Sequence, residues 1–145
     1  MNIGKTKVKL FGKTAKVPLQ AHDNDSGYDL FVNRIEKIPA ENGTKYRCFF
    51  GVGVMPPKGY FFEVVPRSSF SKLGFSMQHG IIDADFTGEI FSVITAETSP
   101  AAELPAVNDR IAQLILRPLL HTTFELAEEL DKTFRGENGF GSSGR

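Results

Sequence analysis

Short runs of β-branched and aromatic residues recur along this chain, and each is stopped by proline, glycine, asparagine or aspartate before it reaches helical length. Lys7-Val8-Lys9-Leu10 alternates with period two and reads as a first strand. The turn-rich run 22–27, His-Asp-Asn-Asp-Ser-Gly, leads into a strand at 28–32, and residues 38–43 form another turn. Strand signals return over 46–54, Pro56-Pro57-Lys58-Gly59 breaks them, and residues 60–65 continue as a further strand. Residues 97–107 are rich in Pro, Ala and Ser and read as a loop before a strand at 110–117. Residues 124–130 fit a helical turn or a weak strand. This pattern predicts an all-β domain, a sandwich, barrel or jelly roll, with at most one or two short helical turns.

At 145 residues the chain is long enough for one core. Seventeen basic residues balance seventeen acidic ones, which argues against a general affinity for nucleic acid or anionic membrane. No apolar run approaches the ~20 residues of a membrane span, and the N-terminus opens no hydrophobic signal segment. A soluble, intracellular and cytoplasmic protein is the expectation. The single cysteine, Cys48, excludes an internal disulfide and sits in a strand pattern, where burial suits it better than nucleophilic chemistry. The three histidines, His22, His79 and His121, lack metal-ligand spacing.

Five stretches can carry chemistry. Gly80-Ile81-Ile82-Asp83-Ala84-Asp85-Phe86-Thr87-Gly88-Glu89-Ile90 reads as a β-hairpin returning through Ile94. It places Asp83 where a base can be held rigidly and partly desolvated, although Asp83 and Asp85 bonding turn amides accounts for them equally well. Asp29 interrupts an apolar strand start, on a solvated face or beside a cation or arginine. In Pro66-Arg67-Ser68-Ser69-Phe70-Ser71-Lys72-Leu73-Gly74 the proline ends a strand. Ser68 or Ser69 can then N-cap a short turn and Gly74 can C-cap it. With Arg67 this is an anion-binding set or an ordinary cap. Asn108-Asp109 suits a positive-φ turn. Beyond it, period two puts Ile111, Gln113 and Ile115 on one face, where a buried Gln113 needs a partner such as a backbone neighbour. The tail from Arg135 to Arg145 is too rich in glycine for regular structure. It reads as a disordered terminus or as a phosphate cradle, since ordering ten residues at ~1–2 kcal/mol each needs a ligand or partner.

These blocks, in this order and over most of the chain, resemble those of the trimeric dUTPase family: Asp25-Ser26-Gly27-Tyr28-Asp29-Leu30, Pro66-Arg67-Ser68-Ser69, Gly80 to Glu89, Asp109-Arg110-Ile111-Ala112-Gln113-Leu114, and Arg135 through Gly144. The resemblance implies a jelly-roll β-barrel over 1–134 with a mobile arm over 135–145. It also implies a homotrimer whose sites are shared between subunits. The activity implied is hydrolysis of dUTP to dUMP and pyrophosphate, which limits uracil in DNA and supplies dUMP for dTMP synthesis. Asp83 would be the general base and Asp29 would meet Mg²⁺ through water. Arg67, Ser68, Ser69 and Gln113 would hold the α- and β-phosphates. Arg135, Gly141, Ser142 and Ser143 would grip the γ-phosphate while Phe140 stacks on uracil. Gly80, Ile82 and Phe91 would shape the base slot, and Phe86 would lie under the deoxyribose.

The chain departs from the family in having Phe86 for a usual tyrosine, Ser26 for alanine, Ser69 and Asn108 where glycine is common, Asn138 for a tail glycine and Ser143 for threonine. None of these removes a reacting group. Two other readings stay open, a non-catalytic nucleotide sensor on the same scaffold and the related dCTP deaminases. The deaminases carry a glutamate where this chain has Val93.

Overall fold

The segments Tyr60–Pro66 and Phe91–Ala96 bury alternate residues, and the chain crosses between two four-stranded sheets to bring such buried faces together. The computed structural model describes residues 1–39, 44–97, 103–139 and 141. Ten strands are found there: β1 (Lys7–Leu10), β2 (Gly27–Phe31), β3 (Arg34–Lys37), β4 (Lys45–Phe49), β5 (Val52–Met55), β6 (Tyr60–Pro66), β7 (Phe75–Met77), β8 (Gly80–Ile82), β9 (Phe91–Ala96) and β10 (Arg110–Pro118). One sheet has the order β2-β10-β6-β8, the other β3-β4-β9-β7, and β1 pairs with β5 as a two-stranded ribbon. All the pairings are antiparallel. The result is a jelly-roll-like β sandwich, as the succession of short strands predicts.

Leu30, Val64, Ala112 and Leu114 from the first sheet and Cys48, Phe75 and Ile94 from the second form one buried core with Phe50, Val52 and Ile90. Burial raises the Cys48 thiol to about 12 by desolvating the thiolate, so this cysteine is a core residue and not a nucleophile.

Several local expectations change on contact with the three-dimensional structure. The strand predicted over 46–54 is two strands in different sheets. Gly51, at φ 67, turns the chain between them, and Ala15 and Asn33 crowd the place a Cβ would take. β3 and β7 were not legible as strands, being only 4 and 3 residues long. The one helical element among the described residues is a 3₁₀ turn, Phe70–Leu73, closed by Gly74 at φ 76. Ser69 occupies its N-cap without a side-chain bond; the Phe70 and Lys72 N–H groups donate to Arg67 O and Ser69 O instead. A bulge between Arg110 and Ala112 shifts the phase of β10, so Ile111 joins Ala112 and Leu114 in the core while Gln113 and Ile115 face the other way. Residues 124–130 form neither helix nor strand.

The Gly80-to-Ile94 stretch is not a hairpin. β8 pairs with β6 and β9 pairs with β4 and β7, so the intervening loop is an arch from one sheet to the other. Ile90 anchors its far end: its N–H donates to Val52 O at 2.8 Å and its carbonyl accepts from Phe50 N–H at 3.0 Å. The arch also lies against Gly53 of β5, where a Cβ would stand 2.8 Å from Thr87 O and 2.9 Å from Gly88 O. Both obstacles are backbone, so Gly53→Ala must push the arch outward. Urea unfolding should show a loss of about 1–3 kcal/mol with an unchanged m-value; an unaltered midpoint would mean the arch does not depend on this contact.

Candidate active site

Two groups of the expected residues assemble, at opposite ends of β6. The first is built on a buried carboxylate. Asp29, 6% exposed, pairs through Oδ1 with Arg67 Nε at 3.0 Å and accepts through Oδ2 from Arg110 Nη1 at 3.2 Å. Of the two readings of Asp29, the neighbouring arginine is the one realised. Arg67 also donates through Nη1 to Arg110 O at 2.9 Å, and its backbone N–H donates to Ile111 O at 2.9 Å. One carboxylate facing two guanidiniums leaves an excess positive charge, with the exposed Ser68 and Ser69 beginning the next turn. Arg110 was not singled out from sequence; a basic residue opening an apolar strand directly after a turn is the signal that marks it.

Gln113 sits beside this cluster. Its amide donates to Pro66 O at 3.4 Å, a backbone partner for a part-buried side chain. Gly27 faces it, and a Cβ there would overlap Gln113 Oε1. The turn that delivers Arg110 is held by Asn108, at φ 73, whose N–H donates to Val32 O at 2.7 Å.

The second group surrounds a cleft of about 320 Å³ lined by Gly80, Ile82, Asp83, Phe86, Glu89, Phe91 and Val93. The arch makes this cleft. Phe86 N–H donates to Asp83 O at 3.0 Å, closing a turn that folds the Phe86 ring over Gly88. Asp83 is exposed in the protomer, so the expected partial desolvation is not provided by its own chain, and its side chain has no hydrogen bond or ion pair among the described residues. The alternative reading of Asp83 as a turn-bonding side chain fails for the same reason: only its carbonyl takes part in the turn. A larger cavity, about 550 Å³, lies between the N-terminal residues, Tyr28, Phe62 and Leu116 and contains none of the expected site residues.

The two groups do not meet within one protomer. In the β6–β8 ladder Val64 stands opposite Gly80 and Phe62 opposite Ile82, which puts Asp83 level with Phe61. Arg67 lies six residues further along β6, a separation of about 20 Å at ~3.3 Å per residue. The described C-terminal residues stand out in solvent. Leu119 N–H donates to Gly59 O at 2.8 Å, and every described residue beyond it is exposed, among them Leu120, Phe124, Leu126, Leu130 and Phe134. Arg135 folds back on its own segment, donating through Nε to Asn138 O at 2.7 Å. Gly141 is exposed; Phe140, Ser142 and Ser143 lie outside the described residues.

No group of three or more metal-ligating side chains occurs among the described residues. The donor set therefore fits Mg²⁺ only as an outer partner. Each Asp29 oxygen keeps lone-pair capacity beside its arginine and can accept from a metal-bound water, while inner ligands must come from a bound anion.

Comparison with known proteins settles the family. A family model described as dUTPase matches residues 13–144. The chain belongs to the dUTPase family. It is 37% identical over 138 residues to the deoxyuridine 5'-triphosphate nucleotidohydrolase of Leifsonia xyli, covering 89% of this chain and 86% of that one. It is 36% identical to the Candida albicans enzyme of the same name over 142 residues, covering 96% and 87%. Among solved structures, Staphylococcus bacteriophage 80alpha dUTPase with dUPNHPP matches with a TM-score of 0.80 at 28% identity, covering 97% of this chain and 99% of that one. Val93 stands on the cleft wall.

The Gly27–Gln113 contact separates stability from binding. The obstacle to a Cβ at Gly27 is the end of a flexible side chain, so Gly27→Ala should fold with a loss of no more than about 1 kcal/mol while swinging the Gln113 amide away. Titration with a non-hydrolysable dUTP analogue should show an affinity about tenfold weaker, as for Gln113→Ala. Wild-type affinity in both variants would remove Gln113 from the binding site.

Proposed function

We propose that this protein hydrolyses dUTP to dUMP and pyrophosphate, at sites that each need more than one copy of the chain. The observation that carries the reading is the ladder position of Asp83, about 20 Å from Arg67 along β6. A base and a phosphate clamp so far apart cannot act at one phosphorus within a protomer. Juxtaposing the clamp of one copy with the cleft of another brings them together, and a homotrimer gives each site both parts. The segment leading to the arm supports the same view. Leu120, Phe124, Leu126, Leu130 and Phe134 are each more than four-fifths exposed, and all have even numbers. In an extended segment they share one face, which a neighbouring copy can cover.

In the assembled site the Asp83 carboxylate accepts a proton from a water aligned behind the α-phosphorus. The water oxygen bonds to phosphorus as the bond to the bridging oxygen breaks, and pyrophosphate leaves with the electron pair. Covering by a neighbouring chain supplies the desolvation that the lone protomer does not. Arg67, the Ser68 hydroxyl, the Ser69 N–H and the Gln113 amide bind the α- and β-phosphates. Asp29 holds Arg67 and Arg110 in place and would meet water bound to the metal. Mg²⁺ held by the triphosphate would neutralise part of the phosphate charge. The arm, 135–145, acts as a separate closing segment: Arg135, Gly141, Ser142 and Ser143 meet the γ-phosphate and Phe140 stacks on uracil. Main-chain groups from Gly80 to Phe91 read the base, and the Phe86 ring lies under the sugar and excludes a 2′-hydroxyl. Among the described residues no helix is long and apolar enough to cross a membrane. The substrate class suits an enzyme of the cell interior, the cytoplasm first.

Asp83→Asn tests the chemistry. Pyrophosphate release should fall by about 10²–10⁴-fold with analogue binding retained; unchanged release would exclude Asp83 as the base, and negligible release by the wild type with retained binding would favour a nucleotide sensor. Removing 135–145 should leave a folded trimer with far slower turnover. An unfolded product, or one of unchanged activity, would count against a separate closing arm.

A further inference from the structure

Three side chains on the outer face of the second sheet form one cross-strand row. Arg34 of β3 stands opposite Phe49 of β4, and Phe49 stands opposite Phe91 of β9. The two rings lie 5.3 Å apart at 43°, and the Arg34 guanidinium rests on Phe49, 3.7 Å from its centroid. Arg34 then reaches past the row to the arch. Its Nη1 donates to both carboxylate oxygens of Glu89, at 2.6 and 2.8 Å, across 55 positions of sequence. Glu89 and Phe91 line the cleft; Arg34 and Phe49 do not.

The arrangement differs from an ordinary surface ion pair. The Glu89 side chain is only 14% exposed, and the guanidinium has an aromatic face on one side as well as a carboxylate. Such a planar cation is fixed in orientation, which a lysine cannot reproduce. Glu36 accepts from Arg34 Nε at 3.4 Å and lies 4.0 Å from Arg47, whose guanidinium sits 5.1 Å from the Phe91 ring. Both cleft-wall residues at the end of the arch are thus held from behind by one sheet face.

We propose that Arg34 is a positioning residue for the cleft: by fixing Glu89 directly and Phe91 through Phe49, it sets the width of the slot and so the rejection of pyrimidines bulkier than uracil. This rests on the reading of the cleft as the nucleoside end of a dUTPase site. Arg34 touches no substrate; it acts through the wall.

The test is Arg34→Gln, Arg34→Lys, Glu89→Gln and the Arg34→Gln/Glu89→Gln double variant in the full chain. Initial rates on dUTP and dTTP would be read together with hydrogen exchange at the Phe86 and Ile90 amides without nucleotide. For Arg34→Gln the KM for dUTP should rise about tenfold with kcat within about twofold, and the dUTP/dTTP ratio of kcat/KM should fall about tenfold. Arg34→Lys should lie between the wild type and Arg34→Gln, and the double variant should be no worse than the poorer single one, because the pair acts as a unit. Exchange at Phe86 should quicken while the thermal midpoint hardly moves. Wild-type KM, selectivity and exchange in Arg34→Gln would overturn the proposal, as would a loss of activity matched by faster exchange throughout the chain. A wild-type chain that turns over no dUTP would instead overturn the reading of the site, and this proposal with it.

Discussion

A carboxylate buried in a β sandwich must be neutralised, and the way Asp29 meets that need shapes everything around it. Two guanidiniums reach it from two other places in the chain, Arg67 at the end of β6 and Arg110 at the start of β10. The three strands concerned, β2, β10 and β6, are adjacent in one sheet, so the charges are tied together by the backbone ladder as well as by their own attraction. Pairing of this kind is weak evidence for stability. Its effect here is on function: one negative charge cannot cancel two positive ones, and the surplus sits beside the exposed Ser68 and Ser69. On the reading proposed above, the anion site is built out of the means by which the fold tolerates a buried acid.

The same sheet then separates that anion site from the cleft. Both are attached to β6, one at its end and the other through β8, and the length of a strand sets their distance. Residues 120–134, leading to the arm, add a third part, apolar and exposed along a stretch that no described residue of its own protomer covers. Three incomplete pieces on a single chain make sense when copies of that chain complete one another. The dUTPase family sets this arrangement in a context of triphosphate hydrolysis, and the charges and carboxylates of the chain suit such a reaction.

Much of this was legible in the sequence, for reasons that differ between residues. Asn108 and Gly74 were readable because a positive φ restricts residue type, and both adopt one. Pro66 ends β6 because it lacks the donor a continuing strand needs. The order of the blocks carried the family. Pairing was less readable: period two says which residues share a face, never which strand lies alongside, so β8 and β9 resembled a hairpin while belonging to opposite sheets. Ile111 was misphased because a bulge costs one residue of register and leaves no mark in the alternation. Residues 124–130 offered apolar positions in a helix-or-strand ambiguity, and they form neither, since none of the described residues covers them. Asp83 is likewise exposed, which period two alone does not reveal.

The claim that each site is assembled from different copies is tested most directly by complementation. Two inactive chains, Asp83→Asn and the 1–134 truncation, are unfolded and refolded together, and dUTP turnover is compared with each refolded alone. Shared sites predict that the mixture regains substantial activity, because a mixed assembly can join an intact Asp83 from one chain to an intact arm from another. A mixture no more active than its two components would show that base and arm must come from the same chain, and would contradict the account.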